Sequence, residues 1–464
     1  MAVVLAGCSL NPKYQRPEAP VEPAWPAASA AAGIAPDGLG WRDVFGDPRL
    51  QALVELALAN NRDLRAVALN VELTRAQYRI QRAQQLPALG ATAAATRQRT
   101  PADLNTTGNP VTSDAFSVGL GVTAFELDLF GRVRSLSAAA LEDYLATEEA
   151  RRSAHLALVG EVASQYLATR AFEAEVALAR QTLEIVAASF DLTGKSYAAG
   201  RASELDLRTA ESQLYASRFN LSVAEQQLAR AENALVLLVG EPLPAGLPSP
   251  QPLEAQAFLA ELPAGLPSDV LQRRPDILSA EHALLSANAS IGAARAAFFP
   301  SISLTAFGGT ASAQLSGLFS AGSASWNFGP RINLPIFSGG ALRASLDVAE
   351  VRKSIQVARY EGAIQAAFRE VADALVSRAA LDAQLDAEQA RVRAEERRYQ
   401  LSDLRYRKGV DSYLTLLTAQ RDLFAAQQLL IQSRLARLTN LVDLYRALGG
   451  GWRERTGPER VSSR

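Results

Sequence analysis

The sequence predicts a mainly α-helical protein that also contributes a few β-strands to a barrel in a membrane. Two tracts without proline, from 111 to 241 and from 336 to 457, have the spacing of long helices over most of their length. Each half of the chain also contains short stretches that alternate apolar and polar residues around a polar loop, as in membrane β-hairpins. The whole arrangement occurs twice, which indicates an internal tandem repeat.

The composition disfavours several classes of protein. The 464 residues include 47 Lys and Arg against 48 Asp and Glu, so no overall positive field favours nucleic acid. One cysteine cannot form an internal disulfide, and one cysteine with two histidines cannot build a zinc or iron–sulfur site from protein ligands. We therefore expect no nucleic acid partner, no metal and no cofactor.

The N-terminus has the features of a bacterial lipoprotein. Residues 1–7 are apolar and resemble the end of a longer signal peptide, and Leu5-Ala6-Gly7-Cys8 is a lipobox. We predict cleavage before Cys8 and attachment of lipid there, including palmitate, which would anchor the chain in an envelope membrane. The alternative is an ordinary buried thiol. Residues 8–40 are rich in proline and predict an extended tether.

Two halves of the chain, residues 41–240 and 269–450, share motifs at matching positions. Asp63-Leu64 begins a helical segment in the first half, and Asp276-Ile277 begins one in the second. Each half later contains Tyr-x-x-Gly followed by a Leu, Ala and Leu at the same spacing. One repeat often needs its copy to bury its apolar faces. The remaining segments are a proline-rich linker at 241–268 and a polar C-terminal tail at 451–464.

Each half predicts a helix, two strands, a long helix, a tight glycine turn and a second long helix. The β-hairpins are predicted at about residues 88–125 and 301–334. The long helices are predicted from about Arg132 to Gly194 and from Ala341 to Lys408, or roughly 95 to 100 Å at 1.5 Å per residue. Four strands cannot close a transmembrane barrel when the smallest known has eight, so we predict a homo-oligomer.

No group of residues predicts catalysis. His155 and His282 lie far apart in sequence without a nucleophile or carboxylate pattern, so we interpret both as structural histidines. Gly119-Leu-Gly121 resembles part of a dinucleotide-binding motif, but strand alternation continues through it. We therefore expect no enzyme activity. The charged runs at 148–152 and 391–398 predict solvated helix faces, with contact to a partner protein as the alternative.

Three segments resemble one family of bacterial envelope proteins. Residues 41–45 read Trp-Arg-Asp-Val-Phe and precede Asn61 and Asp63-Leu64, residues 406–421 begin Tyr-Arg-Lys-Gly-Val-Asp-Ser-Tyr, and residues 445–452 read Tyr-Arg-Ala-Leu-Gly-Gly-Gly-Trp. In this order, within a duplicated chain, they resemble the TolC-like outer-membrane factors, or outer membrane efflux proteins, and in particular their OprM-like lipoprotein branch. The resemblance extends from about Cys8 to Trp452.

The resemblance implies a homotrimer in which each chain supplies four strands to a twelve-stranded outer-membrane β-barrel. A twelve-helix periplasmic α-barrel would continue this β-barrel. Such proteins are exit ducts of tripartite efflux pumps, and the duct itself performs no reaction. The implied partners are a periplasmic adaptor (membrane fusion protein), an inner-membrane transporter of RND type, and outer-membrane lipid.

The resemblance also implies a gate at the periplasmic end, where polar links hold the helix tips shut. Asp206 and Tyr406 match one such link, in which a phenol donates a charge-assisted hydrogen bond to a carboxylate. Family members often carry aspartates where this sequence has Thr415 and Thr418, so we predict weaker cation preference. The other residues assigned by position are Leu414 and Leu417 as an apolar constriction, Asp411 as an alternative acidic ring, Arg421 in the gate, and Gly200, Arg201, Lys408 and Gly409 at adaptor-facing tips.

Two other functions are weaker alternatives. A lipid-anchored periplasmic coiled-coil scaffold or adaptor would use the long helices and Cys8 without spanning the membrane, but it would not need alternating strands with polar loop tips. An enzyme would need a convergent nucleophile, metal or cofactor set, which the sequence lacks.

Overall fold

The computed structural model describes residues 9–22, 39–256 and 273–456. The predicted lipid site Cys8, the predicted signal remnant 1–7, and parts of the predicted tether, linker and tail lie outside these ranges. No helix within the described ranges is both long and apolar enough to span a membrane.

The elements form two matching series. Two helices precede them, α1 (Trp41–Val44) and α2 (Pro48–Asn60). The first series is α3 (Arg62–Ala83), β1 (Leu89–Thr100), β2 (Val111–Leu127), α4 (Arg132–Ala198) and α5 (Glu204–Val239). The second series is α6 (Pro275–Ala296), β3 (Ser301–Ser312), β4 (Ala324–Asn333), α7 (Ala341–Arg407) and α8 (Tyr413–Ala447).

Equivalent helices of the two series have nearly equal lengths. Helices α3 and α6 have 22 residues each, α4 and α7 have 67 each, and α5 and α8 have 36 and 35. At 1.5 Å per residue, each of the two longest helices extends about 100 Å. Helix α4 continues past Gly194, where the sequence predicted its end, because the left-handed residue that ends it is Gly200, with φ 71°.

The four strands form one antiparallel sheet in the order β1-β2-β3-β4. Alternate residues of each strand lie on opposite faces, and the pairing register aligns these faces across the sheet. The apolar face carries Leu89, Ala91, Phe116, Val118, Leu120, Leu304, Trp326, Phe328 and Ile332. The opposite face carries Thr92, Ser117, Gly119, Ser303, Asn327 and Arg331.

Within the described residues of one chain, both edges of the sheet and its apolar face are uncovered. Strands β1 and β4 are the edges, and their outer sides pair with no other described strand. Large apolar side chains are exposed on the apolar face, including Leu89 at 69%, Trp326 at 79% and Phe328 at 62%. A monomeric soluble protein rarely exposes so many neighbouring apolar side chains, so this face requires an apolar neighbour.

A bulge interrupts the pairing of β2 with β3 between Val122 and Phe125. Ala124 in this bulge has φ 52° and is the one non-glycine residue of the described chain with positive φ. Its backbone N–H donates to Oγ1 of Thr305 at 3.2 Å, so a side-chain oxygen replaces the missing ladder partner.

The chain divides into two compact units, and each unit takes segments from both series. The first unit contains the sheet and comprises Met1–Glu18, Asn70–Glu148 and Ser279–Glu361. The second unit comprises Ala19–Leu69, Glu149–Leu278 and Gly362–Arg464, and it contains the two turns that join the long helices.

The second unit has a buried polar contact in its core. The carboxylate of Asp47 is 1% exposed and accepts three hydrogen bonds. The donors are the phenol of Tyr166 at 2.6 Å, the Nε2 of Gln256 at 2.9 Å and the backbone N–H of Arg49 at 2.8 Å. This contact connects the start of α2 to the middle of α4.

Candidate gate at the helix tips

The turns that join α4 to α5 and α7 to α8 have the same geometry. Gly200 and Gly409 have φ values of 71° and 72° and follow the last helical turn. In the first turn the N–H of Gly200 bonds the carbonyl of Tyr197 at 2.9 Å, and the N–H of Arg201 bonds that of Ser196 at 2.8 Å. The second turn repeats these two bonds at 2.8 and 3.0 Å, so both are Schellman motifs.

Each returning helix begins with a serine cap. Ser203 accepts a hydrogen bond from the N–H of Asp206, and Ser412 accepts one from the N–H of Thr415. The two repeats differ in the contact that the side chain of the third helical residue makes with the serine cap. The Asp206 carboxylate accepts from the N–H of Ser203 at 3.2 Å, which completes a capping box. The Thr415 hydroxyl instead bonds the Ser412 hydroxyl, at 3.2 Å.

An apolar cluster packs behind the α7–α8 turn. It contains Ala210, Tyr413 and Leu417, with Phe190 and Tyr406 packed against it. The rings of Tyr406 and Tyr413 are 5.6 Å apart and tilted by 55°. Burial of the Tyr413 phenol raises its pKa above the usual value. The cluster therefore joins all four long helices near their tips.

The structure does not bring the predicted link residues into a hydrogen bond. The Asp206 carboxylate accepts from the Ser203 hydroxyl at 2.7 Å as well as from the backbone N–H of Ser203. Tyr406 instead packs by its ring in the apolar cluster. The capping box accounts for this difference, because it holds the carboxylate at its own helix terminus.

Asp411 is paired within the same turn. The Arg405 guanidinium donates from Nε at 2.7 Å and from a terminal nitrogen at 2.8 Å to its two carboxylate oxygens. This bidentate contact lowers the pKa of Asp411 below its usual value. A ring of Asp411 carboxylates would therefore carry an equal number of Arg405 cations, which weakens Asp411 as an acidic selectivity ring.

Helix α8 separates the predicted gate residues by face. Leu414 is 67% exposed, and Thr415, Thr418 and Arg421 are also exposed on that side of the helix. Leu417 is 7% exposed and lies in the apolar cluster, so within one chain it does not line a surface with Leu414. The predicted constriction is thus reduced to Leu414 within one chain, because the apolar cluster covers Leu417.

The second predicted charged run contributes a cross-helix pair. Arg398 of α7 bonds Asp422 of α8, the residue that follows Arg421. Sequence reasoning did not select Arg405, Tyr413 or Phe190. Arg405 could have been found, since a cation next to an acid across a Tyr-x-x-Gly turn favours pairing, but Phe190 comes from the other repeat and no local pattern indicates it.

Comparison with known proteins decides the family. A sequence model described as "Outer membrane efflux protein" matches residues 53–241 and 266–450, one segment in each repeat. The chain belongs to the outer membrane efflux protein family. The family assignment made from sequence is therefore confirmed.

Characterised relatives of this efflux protein cover nearly its whole length. It is 51% identical over 461 residues to the toluene efflux pump outer membrane protein TtgC of Pseudomonas putida, covering 98% of this chain and 95% of that protein. It is 47% identical over 455 residues to the outer membrane protein OprJ of Pseudomonas aeruginosa, covering 98% and 95%.

Solved structures of efflux proteins have the same fold. The open state of the MtrE outer membrane channel of Neisseria gonorrhoeae matches with a TM-score of 0.90 and 42% identity over 97% of this chain and all of that one. CusC matches with a TM-score of 0.86 and 42% identity over 96% of this chain and all of that one. The predicted fold class and the predicted function as an outer-membrane efflux channel are confirmed.

Proposed function

We propose that this efflux protein works as a homotrimer whose three sheets close one twelve-stranded barrel in the outer membrane. The observation that carries the proposal is the four-stranded sheet with two open edges and one apolar face. Unpaired backbone groups are costly in lipid, so a membrane sheet must close on itself. If edge strand β4 of one chain pairs with edge strand β1 of the next, the unpaired backbone groups of both strands form hydrogen bonds. The apolar face of the sheet then lies toward lipid.

The proposed duct joins an inner-membrane transporter of RND type to the cell exterior through a periplasmic adaptor. Relatives are named for toluene, solvent and antibiotic efflux pumps. We propose the same class of cargo, small apolar or amphipathic compounds, for this chain. Passage is passive and the duct performs no reaction. The tips that would face the adaptor carry Gly200, Arg201, Lys408 and Gly409.

We also propose lipid attachment at Cys8, outside the described residues. The segment that follows it lies along α6 in the first unit. Arg16 donates from Nε to Glu281 at 2.8 Å, Asn288 donates to the carbonyl of Pro12 at 2.9 Å, and the side chain of Asn11 lies against Gly292.

The spacing of these contacts supports an extended tether. From Arg16 to Asn11 an extended chain covers about 16 Å, and eleven residues of α6 also cover about 16 Å. Asn11 lies near the end of α6 that leads into β3. From this end of α6, a lipid attached to the residues before Asn11 has the shortest path to the bilayer. We also propose that the two repeats comprise residues 41–240 and 269–450 and that residues 241–268 link them.

The experiment that tests the assembly is native mass spectrometry of detergent-extracted protein expressed with a complete signal peptide. A trimer supports barrel closure, and acyl mass on each chain supports lipidation. Conversion of Cys8 to Ala should remove the acyl mass and leave the trimer. A monomer released without detergent would overturn the barrel, whereas a trimer without adduct would overturn only the lipid anchor.

We propose that Asp206 and Tyr406 act as the latch of the closed gate in the assembled channel. Their positions on α5 and α7 beside one apolar cluster support this, although the single chain holds Asp206 in its capping box. Asp206→Ala or Tyr406→Phe should raise single-channel conductance in planar bilayers. Tyr197→Phe, at the equivalent position of the first tip, is the matched control. Unchanged conductance in both latch variants would remove the latch.

A further inference from the structure

A cavity in the second unit lies away from the helix tips and is lined by basic, polar and aromatic side chains. Its volume is about 520 Å³, and it is bounded by the end of α2, the start of α3, the first half of α4 and Trp452. Pockets of 300 to 1,000 Å³ with a few convergent polar groups are typical of small-molecule sites. Its polar and aromatic lining residues are Asn61, Arg65, Arg151, Arg152, His155 and Trp452.

The positive charge of this cavity is not neutralised by its own walls. None of the described residues that line it is acidic. Arg152 is paired with Glu149 at 2.7 Å. The side chains of Arg65 and Arg151 form no ion pair with any residue of the described ranges. Among the described residues these two guanidinium groups are therefore without an acidic partner, and a guanidinium binds carboxylate, sulfonate or phosphate groups in a bidentate manner.

The same cavity offers an aromatic wall and a polar nitrogen. The guanidinium groups of Arg152 and Arg453 lie 5.3 and 4.6 Å from the ring centre of Trp452, and these contacts orient the indole. Nε2 of His155 is buried and has no hydrogen-bond partner in the described chain. Burial, and secondarily the charge of Arg151, lower the pKa of His155 to about 4. The imidazole is therefore neutral at pH 7, and the cavity's charge comes from arginine alone.

We propose that this cavity binds a small aromatic organic anion, with its anionic group at Arg65 and Arg151 and its planar body beside Trp452. Leu58, Leu64 and Ala68 complete the apolar part of the wall. Arg65 belongs to α3 and Arg151 to α4. One anion held by both would therefore join two helices of this unit to the C-terminal segment that carries Trp452.

Isothermal titration of the purified full-length protein in detergent with 2-naphthalenesulfonate tests the proposal. We expect saturable binding of one ligand per chain. Its uncharged sulfonamide analogue should bind at least tenfold more weakly. Arg151→Gln and Arg65→Gln should each weaken sulfonate binding by tenfold or more, and Arg208→Gln, an exposed arginine near a helix tip, should change it less than twofold.

Several results would overturn the site. They are absence of saturable binding, equal binding of sulfonate and sulfonamide, or unchanged affinity in both arginine variants. Circular dichroism and native mass of each variant separate loss of the site from loss of the fold. Because the two substitutions lie on different helices, a variant that fails to fold leaves the other as the deciding test.

Discussion

The hydrogen bond from Tyr166 to Asp47 should contribute measurably to the stability of the second unit. Tyr166 is 0% exposed and Asp47 is 1% exposed, so water cannot replace the phenol. Conversion of Tyr166 to Phe removes one donor and leaves Asp47 with Gln256 and the N–H of Arg49. Hydrogen bonds to charged groups contribute about 1.5–3 kcal/mol, and the ring itself stays in place.

This loss corresponds to a measurable shift in the midpoint of thermal unfolding, Tm. An unfolding entropy of about 2.1 cal/mol/K per residue gives about 1 kcal/mol/K for the 464 residues. The expected decrease in Tm is therefore about 1.5–3 °C for Tyr166→Phe. We would follow unfolding in detergent by circular dichroism at one fixed scan rate, since large proteins often unfold irreversibly.

Tyr360 provides the matched control, with the opposite expected sign. It is also 0% exposed, but its phenol has no hydrogen-bond partner among the described residues. Tyr360→Phe therefore removes a buried polar group without breaking a bond, and Tm should stay the same or rise. An unchanged Tm in Tyr166→Phe together with a lowered Tm in Tyr360→Phe would refute the reasoning.

Three further predictions concern charge and backbone. Asp411→Asn leaves the charge of Arg405 uncompensated and should shift the reversal potential in a KCl gradient toward anion preference. Arg405→Gln should shift the reversal potential toward cation preference. Shifts of the same sign in both variants would contradict the pairing. Because the pKa of His155 is lowered to about 4, the unfolded chain binds the proton more readily, so stability falls as pH decreases from 6.5 to 4, by about 2 kcal/mol at pH 5. His155→Gln should flatten this pH dependence of Tm, and an equally steep profile would count against it. Gly409→Ala should destabilise the protein by about 1–2 kcal/mol because of the φ of 72° at this position, although no described atom lies within 4 Å of the added methyl group. Gly362→Ala, inside α7 and equally unobstructed, should raise Tm instead.

Local patterns in the sequence predicted the elements but not how they meet. Alternation identifies strands because one face contacts lipid, and Tyr-x-x-Gly identifies the tips because the turn requires a left-handed residue. The bulge at Ala124 depends on the Thr305 hydroxyl, which is distant in sequence, so no local pattern indicates it.

The gate residues show the same limit. Leu414 and Leu417 are both apolar residues near one turn, and only packing against Phe190 and Ala210 decides which is buried. The contact of Asp206 with Ser203, in contrast, could have been predicted from the sequence. Ser203-Glu-Leu-Asp206 has the spacing of a capping box, which is a local and strong preference, and it indicated where the carboxylate would lie.

The open edges of the sheet have a consequence for biogenesis. A single chain that entered the bilayer would leave the outward-facing backbone groups of β1 and β4 without partners, at several kcal/mol for each group. Insertion and subunit association are therefore one event, and newly exported chains must wait outside the bilayer until partners arrive. A defective copy with one blocked edge would disable the assemblies it joins, so such an allele would be dominant over the intact gene.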